Sequence, residues 1–295
     1  MKKDVHATIT NNIIQAIESG KTSLELPWRH TECLPLRISN GKPYQGVNVL
    51  GLWAVSMIKR YSSPYWGGFR TWQDMGGQVR KGEKGSTVVH SRLVEIENKN
   101  GETDTIIKSR SFAVFNGDQV DGIDNDAELP EENPMLDAME ASAEVEALCE
   151  CNDVKLVIGG SSAHYDPRKD EIAMPDKELF VGTSSMNADL GFASTLAHEL
   201  VHWTGHKDRC DRFSSTTTKA SYAHEELIAE LGSAFLCHEL NFSYSGVADH
   251  AAYIDHWLQI MKGDKHAIFT ASNKATAAVR HLIPVEVAED CAVEA

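Results

Sequence analysis

Two histidines four residues apart, His198 and His202, constrain the fold of this 295-residue chain more than any other feature of its sequence. They lie in a segment, residues 189–204, whose apolar residues recur at helical spacing. Residues four apart in an α-helix project from the same face, so the two imidazoles are predicted to lie one turn above each other. Gly205 follows and is expected to end the helix.

The residues beside the two histidines predict what this helix face binds. The run His198-Glu199-Leu200-Val201-His202 is the H-E-x-x-H pattern, in which two imidazoles bind one metal ion and the glutamate is the general base for a water molecule that the ion activates. The pattern is typical of zinc peptidases, so we expect Zn²⁺, although these ligand types also suit Mn²⁺ or another divalent ion. Glu199 is the predicted catalytic residue.

A third protein ligand is expected from one of two places. Glu226 and Glu230 lie one turn apart on a helix predicted over residues 222–240, as in the E-x-x-x-D/E arrangement of gluzincin peptidases, where the first acid binds zinc and the second supports a ligand histidine. The alternative is Asp208, which stands at the third-ligand position of metzincin-type peptidases. We favour Glu226 with Glu230 behind it, and we expect Glu225 to point elsewhere.

Two further features would serve a peptidase here. Tyr222 lies one turn before Glu226 and is a candidate donor to the oxyanion of a tetrahedral intermediate. The strand expected over residues 171–174 is a candidate edge strand, along which an extended peptide could add by backbone hydrogen bonds. Both hypotheses depend on how the chain packs in three dimensions.

The net charge of −15 is unevenly distributed along the chain. Residues 1–120 hold 16 Lys and Arg against 11 Asp and Glu, whereas residues 121–295 hold 12 against 32. A basic front half is expected to meet an anionic partner, while the acidic back half has a different task. The stretch from 121 to 150 carries eleven acids and no Lys or Arg, so its first part is predicted to be a linker.

These patterns predict an α+β protein of two domains. The first, residues 1–120, is expected to be a small α+β domain with an antiparallel sheet, and residues 121–135 an acidic linker. Residues 136–295 are expected to form a zincin-like metallopeptidase domain, mainly helical with a small sheet. The helices are predicted near residues 5–20, 47–60, 189–204, 222–240, 247–262 and 264–283.

The composition argues against a membrane or secreted protein. No stretch approaches the roughly 18 apolar residues that span a bilayer, and the N-terminus leads into a polar helical pattern instead of a signal-peptide core. The six cysteines form no C-x-x-C pair and are expected to be reduced thiols. We therefore expect a cytoplasmic protein with no membrane partner.

Aromatic and basic residues are concentrated in the front half. Four of the six tryptophans fall between residues 28 and 72, among tyrosines, lysines and arginines. Exposed aromatic rings stack on unpaired bases while Lys and Arg follow the phosphates, so this composition favours single-stranded nucleic acid. Trp53, on an apolar helix face, is expected in the core instead. The candidate DNA-binding residues are Tyr44, Asn48, Trp66, Arg70, Trp72, Arg80, Lys81 and Lys84.

Several motifs together resemble one known family. The runs 43–48 (PYQGVN), 71–73 (TWQ) and 79–85 (VRKGEKG), followed by HELVHWTGH from His198 and EELIAE from Glu225, are similar to the ArdC family of plasmid antirestriction proteins. The resemblance extends over essentially the whole chain. It implies an N-terminal domain that binds single-stranded DNA, a C-terminal zincin-like metallopeptidase domain, and protection of incoming conjugative plasmid DNA from host restriction enzymes.

Three mechanisms fit this resemblance. In the favoured one, the protein binds and escorts the entering single strand. In the second, the metal site cleaves a restriction subunit or another protein associated with the DNA. In the third, the acidic back half mimics DNA and binds a restriction enzyme directly.

Overall fold

The computed structural model describes residues 4–20, 26–29, 33–97, 103–123, 135–181, 187–213, 218–244 and 251–283. These residues form the mixed α+β architecture that the sequence predicts. The helices are α1 (Val5–Gly20), α2 (Val47–Lys59), α3 (Phe69–Asp74), α4 (Ala138–Cys151), α5 (Ala188–Trp203), α6 (Lys219–Glu239), α7 (Ala251–Gly263) and α8 (Ala267–Leu282). The strands are β1 (Leu36–Arg37), β2 (Tyr65–Gly67), β3 (Gln78–Val79), β4 (Ser86–Glu97), β5 (Thr103–Asn116), β6 (Val120–Asp121), β7 (Lys155–Ile158), β8 (His164–Asp166) and β9 (Glu171–Met174). Within these ranges, no helix has the length and apolar character needed to cross a bilayer.

The N-terminal half combines two packed helices with a sheet of order β1-β2-β5-β4. Helix α1 begins after Asp4, whose carboxylate accepts a hydrogen bond from the Ala7 N–H at 3.2 Å, as expected of a helix N-cap. The β2–β5 and β4–β5 pairs are antiparallel as expected, but β1 pairs in parallel with β2, so the sheet is mixed and the expectation of an antiparallel sheet is only partly right. Helix α2 is fastened to β4 because the Asn48 side chain bonds both the carbonyl and the N–H of Val89, at 2.7 and 2.8 Å.

The C-terminal half is built from helices α4 to α8 and a sheet of order β7-β9-β8. Strand β9 pairs in parallel with β7 and antiparallel with β8, so it is the central strand. The expectation that residues 171–174 form an edge strand open to a peptide is therefore wrong, because both edges of that strand are already paired. Strands β7 and β8 form the edges of this sheet.

One hydrophobic cluster includes buried residues from both halves of the chain. Trp28 and Trp53, both in the N-terminal half, are almost fully buried. Trp53 packs beside Phe235 of α6, with ring centroids 6.1 Å apart, and its expected core position is confirmed. The Trp28 indole N–H donates a hydrogen bond to Glu230 of the same helix at 3.0 Å. Helix α6 therefore joins the front of the chain to the helix that carries the two histidines.

The acidic segment expected to be a linker lies mostly outside the described residues, since 124–134 are not among them. The later part of the acidic stretch forms helix α4, which begins after Asp137. The Asp137 carboxylate accepts hydrogen bonds from the N–H groups of Met139 and Glu140, both at 2.9 Å. Of the six cysteines, Cys33, Cys149, Cys151, Cys210 and Cys237 are described, and these are free thiols.

Candidate metal centre and basic surface

His198, His202 and Glu226 meet between helices α5 and α6. The two histidine Nε2 atoms lie 3.1 Å apart, and the Glu226 carboxylate oxygens lie 3.5 Å from His198 Nε2 and 3.7 Å from His202 Nε2. Ligand atoms about 2.1 Å from one tetrahedral ion are separated by about 3.4 Å. The three side chains thus have the chemistry and the spacing to hold one divalent ion, and one ligand atom from each lies within 4.8 Å of the others.

The sequence brings these side chains together through a close contact between the two helices. Helix α5 begins at the Asn187 cap, and α6 begins at a capping box of Thr218 and Ser221. A Cβ atom built on Gly232 of α6 would lie 2.8 Å from Val201 Cγ1 of α5. Only a residue without a side chain allows this approach, which lets Glu226 reach the histidines.

The electrostatic field of the cluster favours a positive charge. Burial alone would lower the pKa of His202, but hydrogen bonds to Glu225 and Glu226, and the charge of Glu199, raise that pKa to about 10. Burial opposes ionisation of Glu226, yet hydrogen bonds from His198 and His202 hold its pKa well below the usual range. Because the effect of the nearby carboxylates on the pKa of His202 is larger than the opposing effect of its burial, the site favours a bound cation.

The other residues predicted for the site have different positions. Asp208, the alternative third ligand, has a side chain that is 71% exposed and lies 3.4 Å from His206 Nδ1, apart from the three-residue cluster. The Glu230 carboxylate accepts hydrogen bonds from Trp28 Nε1 at 3.0 Å and Tyr244 Oη at 2.8 Å. Glu230 therefore ties α6 to two other segments, and its support of a ligand histidine stays a prediction.

Of two residues at the edge of the cluster, Tyr222 lies where the sequence suggests and Glu225 does not. Tyr222 forms a hydrogen bond to Glu226, as its position one turn earlier suggests. Burial and then this hydrogen bond raise the pKa of the Tyr222 phenol. Glu225 was expected to point elsewhere, and this is wrong: its Oε1 atom lies 3.4 Å from His202 Nδ1. Its partner Arg212 was missed, since it lies outside the motif and meets Glu225 only through the fold.

Half of the candidate DNA-binding residues hold the N-terminal fold together. The rings of Trp66, Trp72 and Tyr44 are buried, with exposures of 1%, 2% and 9%. The Trp72 indole N–H donates to the Phe115 carbonyl at 3.0 Å, and the Asn48 amide is bonded to β4. The three rings pack inside the fold and are not available to unpaired bases in this conformation, whereas the Asn48 side chain is half-buried.

The other four candidates, Arg70, Arg80, Lys81 and Lys84, are exposed. Arg80 and Lys81 line a cleft of about 570 Å³ together with Phe69, Gln78, Val79, Gly82, Glu83, Phe115 and Asp121. Phe69 is 46% exposed and packs edge-on against Phe115, with ring centroids 6.3 Å apart. Phe69 was not among the eight candidate residues, although it directly precedes Arg70 in the chain.

The helix-borne H-E-x-x-H motif with a glutamate from the following helix defines a zincin-like metallopeptidase domain. The sequence model of that family, described as zincin-like metallopeptidase, matches residues 143–274. A second model, the N-terminal domain of anti-restriction factor ArdC, matches residues 3–120. The chain belongs to the ArdC antirestriction family, as its similarity to solved ArdC structures over nearly their whole length shows.

Two crystal structures of the antirestriction protein ArdC from plasmid R388 are similar over nearly the whole chain. Both are 39% identical and cover 95% of this chain and 97% of their own; the metal-free structure has a TM-score of 0.77 and the Mn(II)-bound structure 0.75. Uncharacterized protein y4eC of Sinorhizobium fredii (strain NBRC 101917 / NGR234) is 36% identical over 92% of this chain and 89% of its own length. Two DNA primases TraC of Escherichia coli are 29% and 30% identical over 93% of this chain, which spans only 19% and 26% of their lengths.

Proposed function

We propose that this chain is an antirestriction protein that binds single-stranded DNA and protects incoming conjugative plasmid DNA from host restriction enzymes in the cytoplasm. Membership of the ArdC family supports the antirestriction role. The observation that carries the DNA-binding part is a group of exposed bases at the Phe69 cleft: Lys81 lines the cleft, and Arg70 and Lys84 directly follow the lining residues Phe69 and Glu83 in the chain.

The charges and the aromatic ring of this surface suit a DNA single strand whose bases face the Phe69 cleft. Glu83 and Asp121 line the cleft and bind Arg80, whose guanidinium lies 3.3 and 3.1 Å from their carboxylates. Phosphates are repelled by these acids and are expected on the rim, beside Lys81, Lys84 and Arg70. The half-exposed Phe69 ring offers a stacking face, and stacking on an aromatic side chain contributes about 1–3 kcal/mol per base.

The salt dependence of DNA binding tests the rim. Lys81→Ala/Lys84→Ala should weaken binding of an oligothymidine and lower the slope of log K against log salt by about 1.4, since each phosphate contact in a single strand contributes about 0.7. The matched control is Arg168→Ala/Lys169→Ala, which removes the same charge from the exposed turn before β9. Equal slopes for wild type and the Lys81/Lys84 variant would contradict the proposed surface.

The stacking face needs a separate test. Phe69→Ala should weaken binding by about 5- to 150-fold with little change in the salt slope, because it removes stacking and leaves the phosphate contacts. Wild-type affinity for the Phe69 variant would remove the cleft from the proposal while leaving the basic rim in place.

A second candidate function, metal-dependent proteolysis, is favoured by the assembled His198, His202 and Glu226 cluster. A divalent ion held there, Zn²⁺ by preference or Mn²⁺, would supply a Lewis acid that lowers the pKa of water toward about 7. Glu199 is 8% exposed and next to His198 in the chain, so it is the proposed base that takes the proton from water and passes it to the leaving amine. Tyr222 is the proposed donor to the oxyanion.

The two functions separate in one set of variants. Glu199→Gln should bind single-stranded DNA as the wild type does and should still bind the metal ion, though more weakly, because Glu199 is not a proposed ligand but its charge favours a cation at the site. If plasmid transfer into a restricting host remains protected with this variant, DNA binding is the mechanism. If protection is lost while both binding activities persist, proteolysis is required, and a restriction subunit or a DNA-bound protein becomes the substrate to seek.

A further inference from the structure

Arg212, in the segment after α5, joins the two helices of the metal cluster. Its side chain is 3% exposed. One guanidinium nitrogen donates to Thr204 Oγ1 at 2.7 Å, and another donates to the Val201 carbonyl at 2.5 Å, both in the last turn of α5 or directly after it. The same guanidinium donates to Glu225 of α6, with its shortest contact to Oε1 at 2.9 Å. The buried guanidinium of Arg212 thus connects the end of α5 to Glu225 of α6, the residue before Glu226.

Glu225 extends this connection to a proposed metal ligand. Its Oε1 atom lies 3.4 Å from His202 Nδ1, while Glu226 faces the other nitrogen of the same ring, with Oε1 3.7 Å from Nε2. An imidazole whose Nδ1–H donates to a carboxylate has its lone pair on Nε2, the atom that faces His198 and Glu226. The arrangement therefore selects both the orientation of the ring and the tautomer that a metal ion needs.

We propose that Arg212 and Glu225 are positioning residues that fix the ring of His202 and thereby set the affinity of the metal site. The proposal rests on the proposed metal site and assigns a task to two residues outside the H-E-x-x-H motif. Arg212 allows Glu225 to be ionised next to the cluster, since a buried carboxylate without a cation is costly. The pair is neutral overall, so it orients His202 without adding net charge.

An electrostatic effect and a positioning effect predict different metal affinities when Glu225 and Arg212 are substituted. Glu225→Gln leaves the Arg212 cation uncompensated beside the site, so charge alone would also weaken metal binding. Arg212→Gln has the opposite electrostatic effect, because it leaves an extra carboxylate that attracts the ion. The double variant Glu225→Gln/Arg212→Gln is as neutral as the wild type. Charge alone predicts wild-type affinity for it, whereas positioning predicts that binding stays weak.

The experiment is a titration of the full-length protein with Mn²⁺, followed by the electron paramagnetic resonance signal of the free and bound ion. Wild type should bind one ion, and Glu226→Gln should abolish this binding; failure of that comparison refutes the metal site itself. Given a working site, Glu225→Gln and the double variant should each weaken Mn²⁺ binding by about 10- to 100-fold, the effect typical of losing such a partner of a ligand histidine. The bound-ion spectrum should change with them.

The matched control is Glu239→Gln, the same substitution at an exposed position near the end of α6, which should leave affinity and spectrum unchanged. Circular dichroism identifies variants that fail to fold. For those, Arg212→Lys is the substitute, because it keeps the charge, loses the planar fork, and should still weaken binding. Wild-type affinity and an unchanged spectrum in folded Glu225→Gln, or full recovery in the double variant, would overturn the proposal.

Discussion

Gly232 of α6 packs directly against Val201 of α5, and replacing it with alanine should strain the contact between the two helices that carry the candidate metal ligands. The added Cβ would lie 2.8 Å from Val201 Cγ1 and 2.9 Å from Cγ2, about 0.6 Å short of the 3.4 Å at which ordinary contact begins. Val201 is fully buried and β-branched, so it has no freedom to rotate away. The helices must therefore move apart, or the two side chains remain compressed.

The free energy of unfolding measures this strain. Overpacking costs about 1–3 kcal/mol, whereas alanine gains about 1 kcal/mol over glycine inside a helix. Gly232→Ala should thus destabilise the protein by about 0–2 kcal/mol in urea unfolding, and should be about 1–3 kcal/mol less stable than a glycine-to-alanine change at an uncrowded helix position. Gly263→Ala at the end of α7 is the matched control, because no atom lies within 4 Å of its added Cβ, and it should be neutral or stabilising.

A double-mutant cycle with Val201→Ala separates this contact from general effects. Val201→Ala removes the methyl groups that the new Cβ meets, so the double variant should be at least about 1 kcal/mol more stable than the sum of the single effects requires. Separation of the helices also moves Glu226 from the histidines, so Mn²⁺ affinity should fall in Gly232→Ala and recover in the double variant. Additive free energies, or a Gly232→Ala protein as stable as the Gly263→Ala control, would refute the reasoning.

Two other predictions concern side-chain hydrogen bonds outside the metal cluster. A hydrogen bond from Arg209 lowers the pKa of Asp170 from 3.8 to about 2; burial opposes this shift, and a hydrogen bond from Tyr165 adds to it. The ionised Asp170 therefore stabilises the fold above about pH 4, and this contribution is lost as the pH falls toward 2. Because the Asp170 side chain is 41% exposed, the full shift is discounted to about 1 kcal/mol. Asp170→Asn should lose that amount in urea unfolding at pH 7, and the difference should vanish near pH 2. Trp28→Phe removes the N–H that donates to buried Glu230 and should cost about 1–3 kcal/mol in the same assay, and an unchanged midpoint would contradict that role.

Local periodicity was enough to predict most of the helices, though not α3, and the relative positions of the first two candidate metal ligands. His198 and His202 lie on one face of α5 because their spacing of four fixes that relation in any α-helix. Glu226 followed from the same logic on the next helix, given a known arrangement of ligands. These features depend on residues close in sequence, and the structure agrees with them.

Relations between distant segments were not predictable in this way. Residues 171–174 form a strand as expected, but strand order depends on which segments pair, and β7 and β8 occupy both of its edges. Trp66 and Trp72 have the composition of a stacking surface, yet an aromatic ring is equally suited to a core, and burial selected the core. The Glu225 contact with Arg212 joins a helix to a preceding loop, and no periodic pattern marks it.

The described contacts of α6 connect the metal cluster to the N-terminal half of the chain. Glu226 faces the histidines, and Glu230, one turn later, is fully buried and accepts the hydrogen bond from Trp28. A helix held at two adjacent turns cannot shift at one without straining the other, because its backbone hydrogen bonds keep the rise per turn fixed. The front half of the chain therefore contributes to the geometry of the proposed metal site even though its proposed DNA-binding surface lies elsewhere. An N-terminal variant can therefore lose metal affinity although the substituted residue is not a ligand. DNA binding and unfolding have to be measured for the same variant to distinguish the two cases.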